Sequence, residues 1–192
     1  MNAMATASYT PEDLLAMPDG KRFELVEGDL VETNVSTLSS WVGGKTFRLV
    51  ANFAEDRGLG TVWPADCGLQ CFEDEPGRVR RPDVTFIGRD RYPAGRLSEG
   101  YLREVPDLVV EVISTNDSAR DVERKVGEYL DAGVRLLWVV SPEEKTVRVH
   151  RGDGTVAWLR RDGDLSGEDV VPGFHCRVAD LFPPEEAQRP AT

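Results

Sequence analysis

The chain has 192 residues, of which 40% are hydrophobic and 30% are charged. This length and composition are typical of one globular domain with a sizeable core, and they exclude a disordered or fibrous chain. No apolar run is long enough to cross a bilayer, and the net charge of −11 disfavours a protein that holds a polyanion over its whole surface.

The N-terminal segment lacks the basic and apolar regions of a signal peptide, so we expect a cytoplasmic protein. The three cysteines, Cys67, Cys71 and Cys176, are an odd and sparse set that argues against a disulfide framework. With His175 they could form a zinc site, but neither cysteine pair has the usual C-x₂-C spacing. We expect free thiols that are at least partly buried, with zinc as the alternative.

The first third of the chain predicts a short helix, a hairpin and a longer helix. Thr10 and Pro11 begin the short helix, which should end near residue 18. Strands over 23–26 and 30–33 form the hairpin. The longer helix is expected over about 46–56, where apolar residues recur at helical spacing.

The rest of the chain predicts strands around one further helix. Strand-like runs occupy 61–63, 68–72, 82–87, 107–113 and 134–140, and a final antiparallel pair occupies 146–151 and 155–160. The helix spans about 118–131, with Asn116 or Asp117 as its cap. This order predicts an α/β or α+β fold with a mixed central β-sheet flanked by helices. We expect a single domain over 10–182, a flexible N-terminus over 1–9 and a flexible tail over 183–192.

Two acidic residues occur on strand-like segments that follow one another. Glu111 interrupts an apolar run, where an ionised carboxylate is costly without a cation or hydrogen-bond donors. Asp83 begins the preceding strand-like segment, directly after a proline that places it at the border of the sheet. If the two strands are neighbours, both carboxylates converge and offer the hard oxygen ligands that Mg²⁺ or Mn²⁺ prefers.

Lys125 lies at the edge of the apolar stripe of the helix over 118–131. From this position its stem can lie along the core and direct its ammonium group toward the sheet. There it could orient a nucleophile or offset charge in a transition state. The alternative is an i,i+4 ion pair with Asp121, worth roughly a few tenths of a kcal/mol.

Six sequence blocks occur in a fixed order: 23–30 (FELVEGDL), 81–84 (RPDV), 106–114 (PDLVVEVIS), 125–129 (KVGEY), 132–134 (AGV) and 137–140 (LWVV). Together they closely resemble the Uma-type family of restriction endonucleases, which is similar to the PD-(D/E)XK nucleases. The resemblance extends over about 10–182. It implies a restriction-endonuclease-like fold, hydrolysis of DNA phosphodiesters, and Mg²⁺ or Mn²⁺ held by Asp83, Glu111 and the Val112 backbone carbonyl.

The sequence departs from the parent motif at Ile113, where the PD-(D/E)XK pattern has a lysine. The Uma-type pattern places that lysine on the following helix, which is Lys125 here. Glu24 matches the N-terminal acid of the family, and it either reaches the metal through water or lies on the surface of the hairpin. Gln70 either faces the same cleft or packs at the edge of the core.

An arginine-rich stretch follows the second cysteine, and Arg78, Arg80 and Arg81 are candidates for contacts with DNA phosphates. The alternative is a solvated loop. The resemblance implies DNA as the partner, and the lack of a long apolar run predicts no membrane. By analogy, we also expect a homo-oligomer, most simply a dimer, since cleavage of two strands favours two sites.

Other site chemistries are less compatible with the sequence. Residues 43–46 (GGKT) resemble the end of a phosphate-binding loop at the start of a helix, but Ser39 stands where the full motif needs glycine. The sequence has only two histidines, His150 and His175, which nearly excludes catalysis that depends on histidine. The main alternative is a nuclease-like fold that no longer cuts and acts as a binding or assembly module. The acidic net charge supports this alternative, and the presence of all three polar site residues opposes it.

Overall fold

The computed structural model describes residues 8–33, 35–92 and 99–184. Helix α1 (Pro11–Ala16) begins at Thr10, whose side chain accepts a hydrogen bond from the backbone of Asp13. Strands β1 (Phe23–Val26) and β2 (Asp29–Glu32) pair antiparallel, which confirms the predicted hairpin. Glu27 and Gly28 both have positive φ, the conformation of a tight two-residue hairpin turn.

Helix α2 (Thr37–Asp56) is nearly twice as long as predicted, so the predicted start at residue 46 is wrong. Ser36 and Ser39 cap its N-terminus reciprocally. The GGKT segment therefore lies within a helix, and the buried Thr46 hydroxyl donates to the Val42 carbonyl. This geometry is incompatible with a phosphate-binding loop, so the resemblance of residues 43–46 to such a loop is not borne out.

A six-stranded mixed sheet follows α2 in the chain. Its strands, in spatial order, are β3 (Gly60–Pro64), β4 (Val84–Gly88), β5 (Leu108–Val112), β6 (Leu136–Ser141), β7 (Thr146–Arg151) and β8 (Val156–Leu159). Only β5 and β6 are parallel, and helix α3 (Ala119–Asp131) connects them. The sheet and its helices confirm the predicted mixed α and β class.

Three local predictions require correction. The run over 68–72 is not a regular strand, because only Leu69 forms isolated bridges, to Arg80 and Leu102. Helix α3 is capped by Ser118, whose hydroxyl accepts from the backbone of Asp121. A small antiparallel pair, β9 (Asp164–Ser166) and β10 (His175–Arg177), was not predicted.

The central sheet carries an apolar core on each face. One core packs α2 against Leu108, Val110 and Val112 of β5. The other packs α3 against Val109 of the same strand. Because side chains alternate along a strand, Glu111 projects to the face that α3 covers. This alternation is what brings a strand carboxylate beneath a helix that carries Lys125.

None of the helices in the described parts of the chain is long and apolar enough to span a membrane. The predicted flexible ends fall mainly on 1–7 and 185–192, which lie outside the described residues.

Gly43 lets α2 approach the segment before β4. Comparing alanine substitutions at Gly43 and at the neighbouring Gly44 tests this close approach. A Cβ atom built on Gly43 would lie 3.0 Å from Asp83 Oδ1, whereas one on Gly44 would have nothing within 4 Å. Gly44→Ala should therefore raise the free energy of unfolding by about 0.5–1 kcal/mol through helix propensity. Gly43→Ala should gain less or lose stability, because the new methyl group crowds Asp83. Equal gains in urea unfolding would contradict this close approach.

Candidate active site

The start of β4 and the end of β5 bring Asp83 and Glu111 to the same end of the central sheet. The two strands are antiparallel neighbours with Val84 opposite Val110, as the convergence argument requires. Asp83 directly precedes β4, and its Oδ2 accepts a hydrogen bond of 2.7 Å from the backbone N–H of Val112. This bond fixes one carboxylate beside the strand that carries the other.

Lys125 reaches down from α3 to Glu111. Its Nζ donates to Glu111 Oε2 at 3.3 Å and to Glu24 Oε1 at 3.1 Å. The second oxygen of Glu111 accepts a bond of 2.7 Å from the hydroxyl of the fully buried Tyr129. The alternative ion pair between Lys125 and Asp121 is wrong, because Asp121 pairs with Arg124 on the outside of the helix.

Glu24 of β1 is only 2% exposed, so its interpretation as a surface acid of the hairpin is wrong. Its Oε1 accepts from the backbone N–H of Arg81 at 2.9 Å as well as from Lys125, and its Oε2 accepts from Arg80 Nη1 at 2.8 Å. Burial alone would raise the pKa of Glu24. The charges of Lys125 and Arg80 outweigh burial and hold that pKa below its usual value.

The three candidate phosphate-binding arginines already have protein partners. Arg80 is completely buried and forms a bidentate pair with Glu128, at 2.7 and 2.8 Å. Arg78 pairs with Asp74 and with a second nearby acid. Arg81 donates to the backbone carbonyls of residues 20, 23 and 66. Their contact with phosphate stays a prediction, and these bonds favour structural roles.

Gln70 and the cysteines lie away from these carboxylates. The side-chain amide of Gln70 donates to the Pro76 carbonyl, and Gln70 is not part of the cleft wall. Cys71 packs on the α3 side of the sheet, where burial raises its pKa to about 12, while Cys176 packs on the α2 side. Within residues 8–33, 35–92 and 99–184, no three or more His, Cys, Asp or Glu side chains are grouped to hold a metal ion. The zinc alternative therefore has no support.

The helix α3 contributes two polar groups that the sequence argument did not assign to the site. Glu128 and Tyr129 lie three and four residues after Lys125, so helical spacing places all three on one face. The sequence signal for both residues was thus present in the spacing of the helix. Asp117 was considered only as a cap, yet it lies on the cleft wall and accepts from the backbone of Ser114.

Burial and crowding disfavour ionisation of both acids at the sheet end. Burial raises the pKa of Asp83 to about 7, and the nearby Glu111 carboxylate adds to this rise. Burial also raises the pKa of Glu111. Burial would lower the pKa of Lys125, but the carboxylates of Glu111 and Glu24 raise it, so the ammonium group stays charged. The site therefore combines a permanent cation with two acids that repel each other.

These side chains line a cleft of about 230 Å³ that opens to solvent between the hairpin, the start of α2 and helix α3. Its wall includes both Asp83 and Glu111. Lys125 forms part of the same wall, with 24% of its side chain exposed. A substrate group that enters the cleft can therefore reach all three side chains predicted to be catalytic.

The mixed sheet, its flanking helices and these side chains at one end of the sheet make this an α+β protein with a polar cleft. The chain belongs to the Uma2 family, described as putative restriction endonuclease, whose model matches residues 11–179. Among solved structures, it is similar to a putative nuclease belonging to DUF820 from Anabaena variabilis ATCC 29413. The two share 19% identity with a TM-score of 0.74, over 90% of this chain and 97% of that chain. At this identity the similarity shows the fold. Among curated proteins, no match was found.

The raised pKa of Asp83 predicts a pH-dependent cost to the folded state. The unfolded chain loses this proton near its ordinary pKa of 3.8, whereas the folded protein keeps it up to about 7. Between these values the folded state binds more protons, so Asp83 lowers the free energy of unfolding as pH rises. Asp83→Asn should therefore gain stability relative to wild type from about pH 4 to pH 7 and then level off.

Urea unfolding without divalent cations measures this difference, with Asp66→Asn as the control. Asp66 is an exposed residue of the same cleft wall. Asp66→Asn is the matched change of an Asp to an Asn at an exposed site. A stability difference for Asp83→Asn that does not change with pH would contradict the buried, crowded carboxylate.

Proposed function

We propose that this chain is a divalent-metal-dependent endonuclease that hydrolyses phosphodiester bonds of DNA. The observation that carries the proposal is the convergence of Asp83, Glu111 and Lys125 in one open cleft. These residues come from a loop, a strand and a helix, and the match to a nuclease family supports the same chemistry. Under this proposal the protein acts in the cytoplasm, and its substrate is DNA.

The donor set fits Mg²⁺ or Mn²⁺ held by Asp83, Glu111 and the Val112 backbone carbonyl. Two carboxylates and a carbonyl are the hard oxygen ligands that these ions prefer. The cleft wall as a whole carries seven carboxylates and five cationic side chains, which leaves two net negative charges when all of them are ionised. A divalent cation would offset both charges.

When bound, the ion would act as a Lewis acid that stabilises negative charge on the phosphoryl group. The side chains of the protein complete the site. Lys125 presents a permanently charged ammonium group that can offset charge on a phosphate oxygen or orient the attacking water. Asp83 is held by the Val112 N–H, and Glu111 by the Tyr129 hydroxyl, so both carboxylates are oriented before a ligand arrives.

The proposed chemistry predicts that each of three isosteric changes removes cleavage. Asp83→Asn and Glu111→Gln remove the charges that would hold the ion, and Lys125→Met removes the ammonium group. Each should lower the cleavage rate on plasmid and single-stranded DNA by about 100-fold or more with Mg²⁺ or Mn²⁺. Lys45→Met and Glu123→Gln are matched controls, because these residues lie outside the cleft wall. Both controls should cleave at the wild-type rate.

The outcomes separate the proposal from its main rival. Cleavage that survives all three changes would place the activity elsewhere or in a contaminant. A folded wild-type protein that cleaves no nucleic acid with either metal would favour a silent binding or assembly module. That module is consistent with the net charge of −11 and with the ion pairs that Lys125 already makes.

We further propose that the active form is a homodimer, since cleavage of both strands of a duplex favours two sites related by symmetry. Sedimentation equilibrium should then give twice the chain mass of 21.3 kDa. Double-strand breaks should appear at the same time as the first nicks, rather than after a delay. A monomer that only nicks duplex DNA would contradict the dimer while leaving the hydrolytic site intact.

A further inference from the structure

Five charged side chains form a continuous chain of ion pairs, and four of them belong to the cleft wall. Its order is Glu128, Arg80, Glu24, Lys125 and Glu111, so acids and bases alternate. The successive N–O distances are 2.7, 2.8, 3.1 and 3.3 Å. The first four residues are here called the anchor network. It joins β1, the segment before β4 and helix α3, and its last residue, Lys125, contacts the proposed metal-binding acid Glu111.

Glu24 sits at the centre of the anchor network and is closed to solvent. Each of its oxygens already accepts at least one hydrogen bond, from Arg80 on one side and from Lys125 and the Arg81 N–H on the other. Both oxygens of Glu111 are also hydrogen-bonded, but 13% of its side chain is exposed against 3% for Glu24, so Glu111 is the more accessible of the two to a cation. These contacts favour a role other than metal binding.

We propose that Glu24 is the positioning residue for Lys125, and that Arg80 and Glu128 hold Glu24 in place. This inference rests on the proposed function of the site. Lys125 projects from a helix, because Ile113 occupies the position on the strand where the parent pattern has lysine. A lysine side chain has about 2 kcal/mol of rotamer entropy, so its ammonium group needs a fixed partner to stay in one place.

Glu111 alone cannot be that fixed partner. When its carboxylate ligates a divalent cation, its attraction for the ammonium group is offset by the positive charge of the ion. Glu24 keeps its negative charge and its contact with Lys125 in both states. The position of Lys125 near the reacting phosphate therefore depends on Glu24, although Glu24 touches neither substrate nor metal.

Arg80 and Glu128 explain how Glu24 can stay ionised while buried. A buried carboxylate without a partner is costly, and Arg80 supplies the compensating charge. Arg80 is itself completely buried and is balanced by its bidentate bond to Glu128. Glu128 lies three residues after Lys125, so both ends of the anchor network are on α3. The network thus fixes the helix that carries the lysine relative to the strand that carries its anchor.

Glu24→Gln tests this inference, with Glu27→Gln as the control, because Glu27 is exposed at the turn of the same hairpin and lies outside the cleft wall. Three properties are measured: DNA cleavage, Mn²⁺ affinity by titration calorimetry, and the NMR signal of the Lys125 ammonium group. Glu24→Gln should lower kcat by about 100-fold with little change in KM, because the lysine is displaced. It should change Mn²⁺ affinity less than about threefold. The Lys125 ammonium protons should exchange slowly in wild type, because they are hydrogen-bonded to two carboxylates, and faster in Glu24→Gln. The control should alter none of these.

Two outcomes would overturn the inference. A large loss of Mn²⁺ affinity in Glu24→Gln would make Glu24 a metal ligand. Unchanged ammonium exchange would show that another group holds Lys125. If Glu24→Gln does not fold, Glu24→Asp is the second variant. It keeps the negative charge, but its side chain is one methylene too short to reach the lysine. The same changes in proton exchange and kcat are expected, with Mn²⁺ affinity retained. A wild-type protein without nuclease activity would refute the proposed function, while exchange and Mn²⁺ binding would still decide whether Glu24 holds Lys125.

Discussion

The cost of burying Glu111 in an interior strand is the constraint on which the site depends. The carboxylate lies under α3 with 13% of its side chain exposed, so it needs donors that reach it from the protein. Lys125 and Tyr129 supply them from one helix face. Once Lys125 is drawn inward, it needs further compensation, and Glu24, Arg80 and Glu128 complete the series of charges. One buried acid therefore organises contacts among three separate parts of the chain.

Much of this site could be predicted from local patterns. The acid within an apolar run identified Glu111, and the proline before Asp83 placed that residue at the sheet border. Helical periodicity placed Lys125 at the edge of a buried stripe, where the structure has it. The predicted positions agree with the structure because each depends on a period of two or 3.6 residues and on the cost of a buried charge. The mixed sheet followed from the same periodic signals.

The parts that could not be predicted depend on long-range pairing. Glu24 and Lys125 are 101 positions apart, and Glu24 and Arg80 are 56 apart. In the sequence, Glu24 looks like a surface acid of a hairpin, and Arg80 looks like a cation available for phosphate. Only the approach of β1 to α3 and to the segment before β4 gives both residues buried partners. The prediction of where α2 begins failed for a different reason. Two glycines suggested a loop, but one of them allows the helix to pack closely against Asp83.

The buried charges also bear on how an acidic protein can act on DNA. The anchor network uses Arg80 to neutralise protein carboxylates, so this cation is not free to attract phosphate. With Asp83 ionised, the site has more negative than positive charge, and a phosphodiester would be repelled at close range. Under the proposed function, a divalent cation removes this repulsion at the scissile phosphate while the surface stays acidic. Substrate binding should then depend on the metal more steeply than in a protein with a basic cleft, because phosphate contacts supply much of the affinity for DNA.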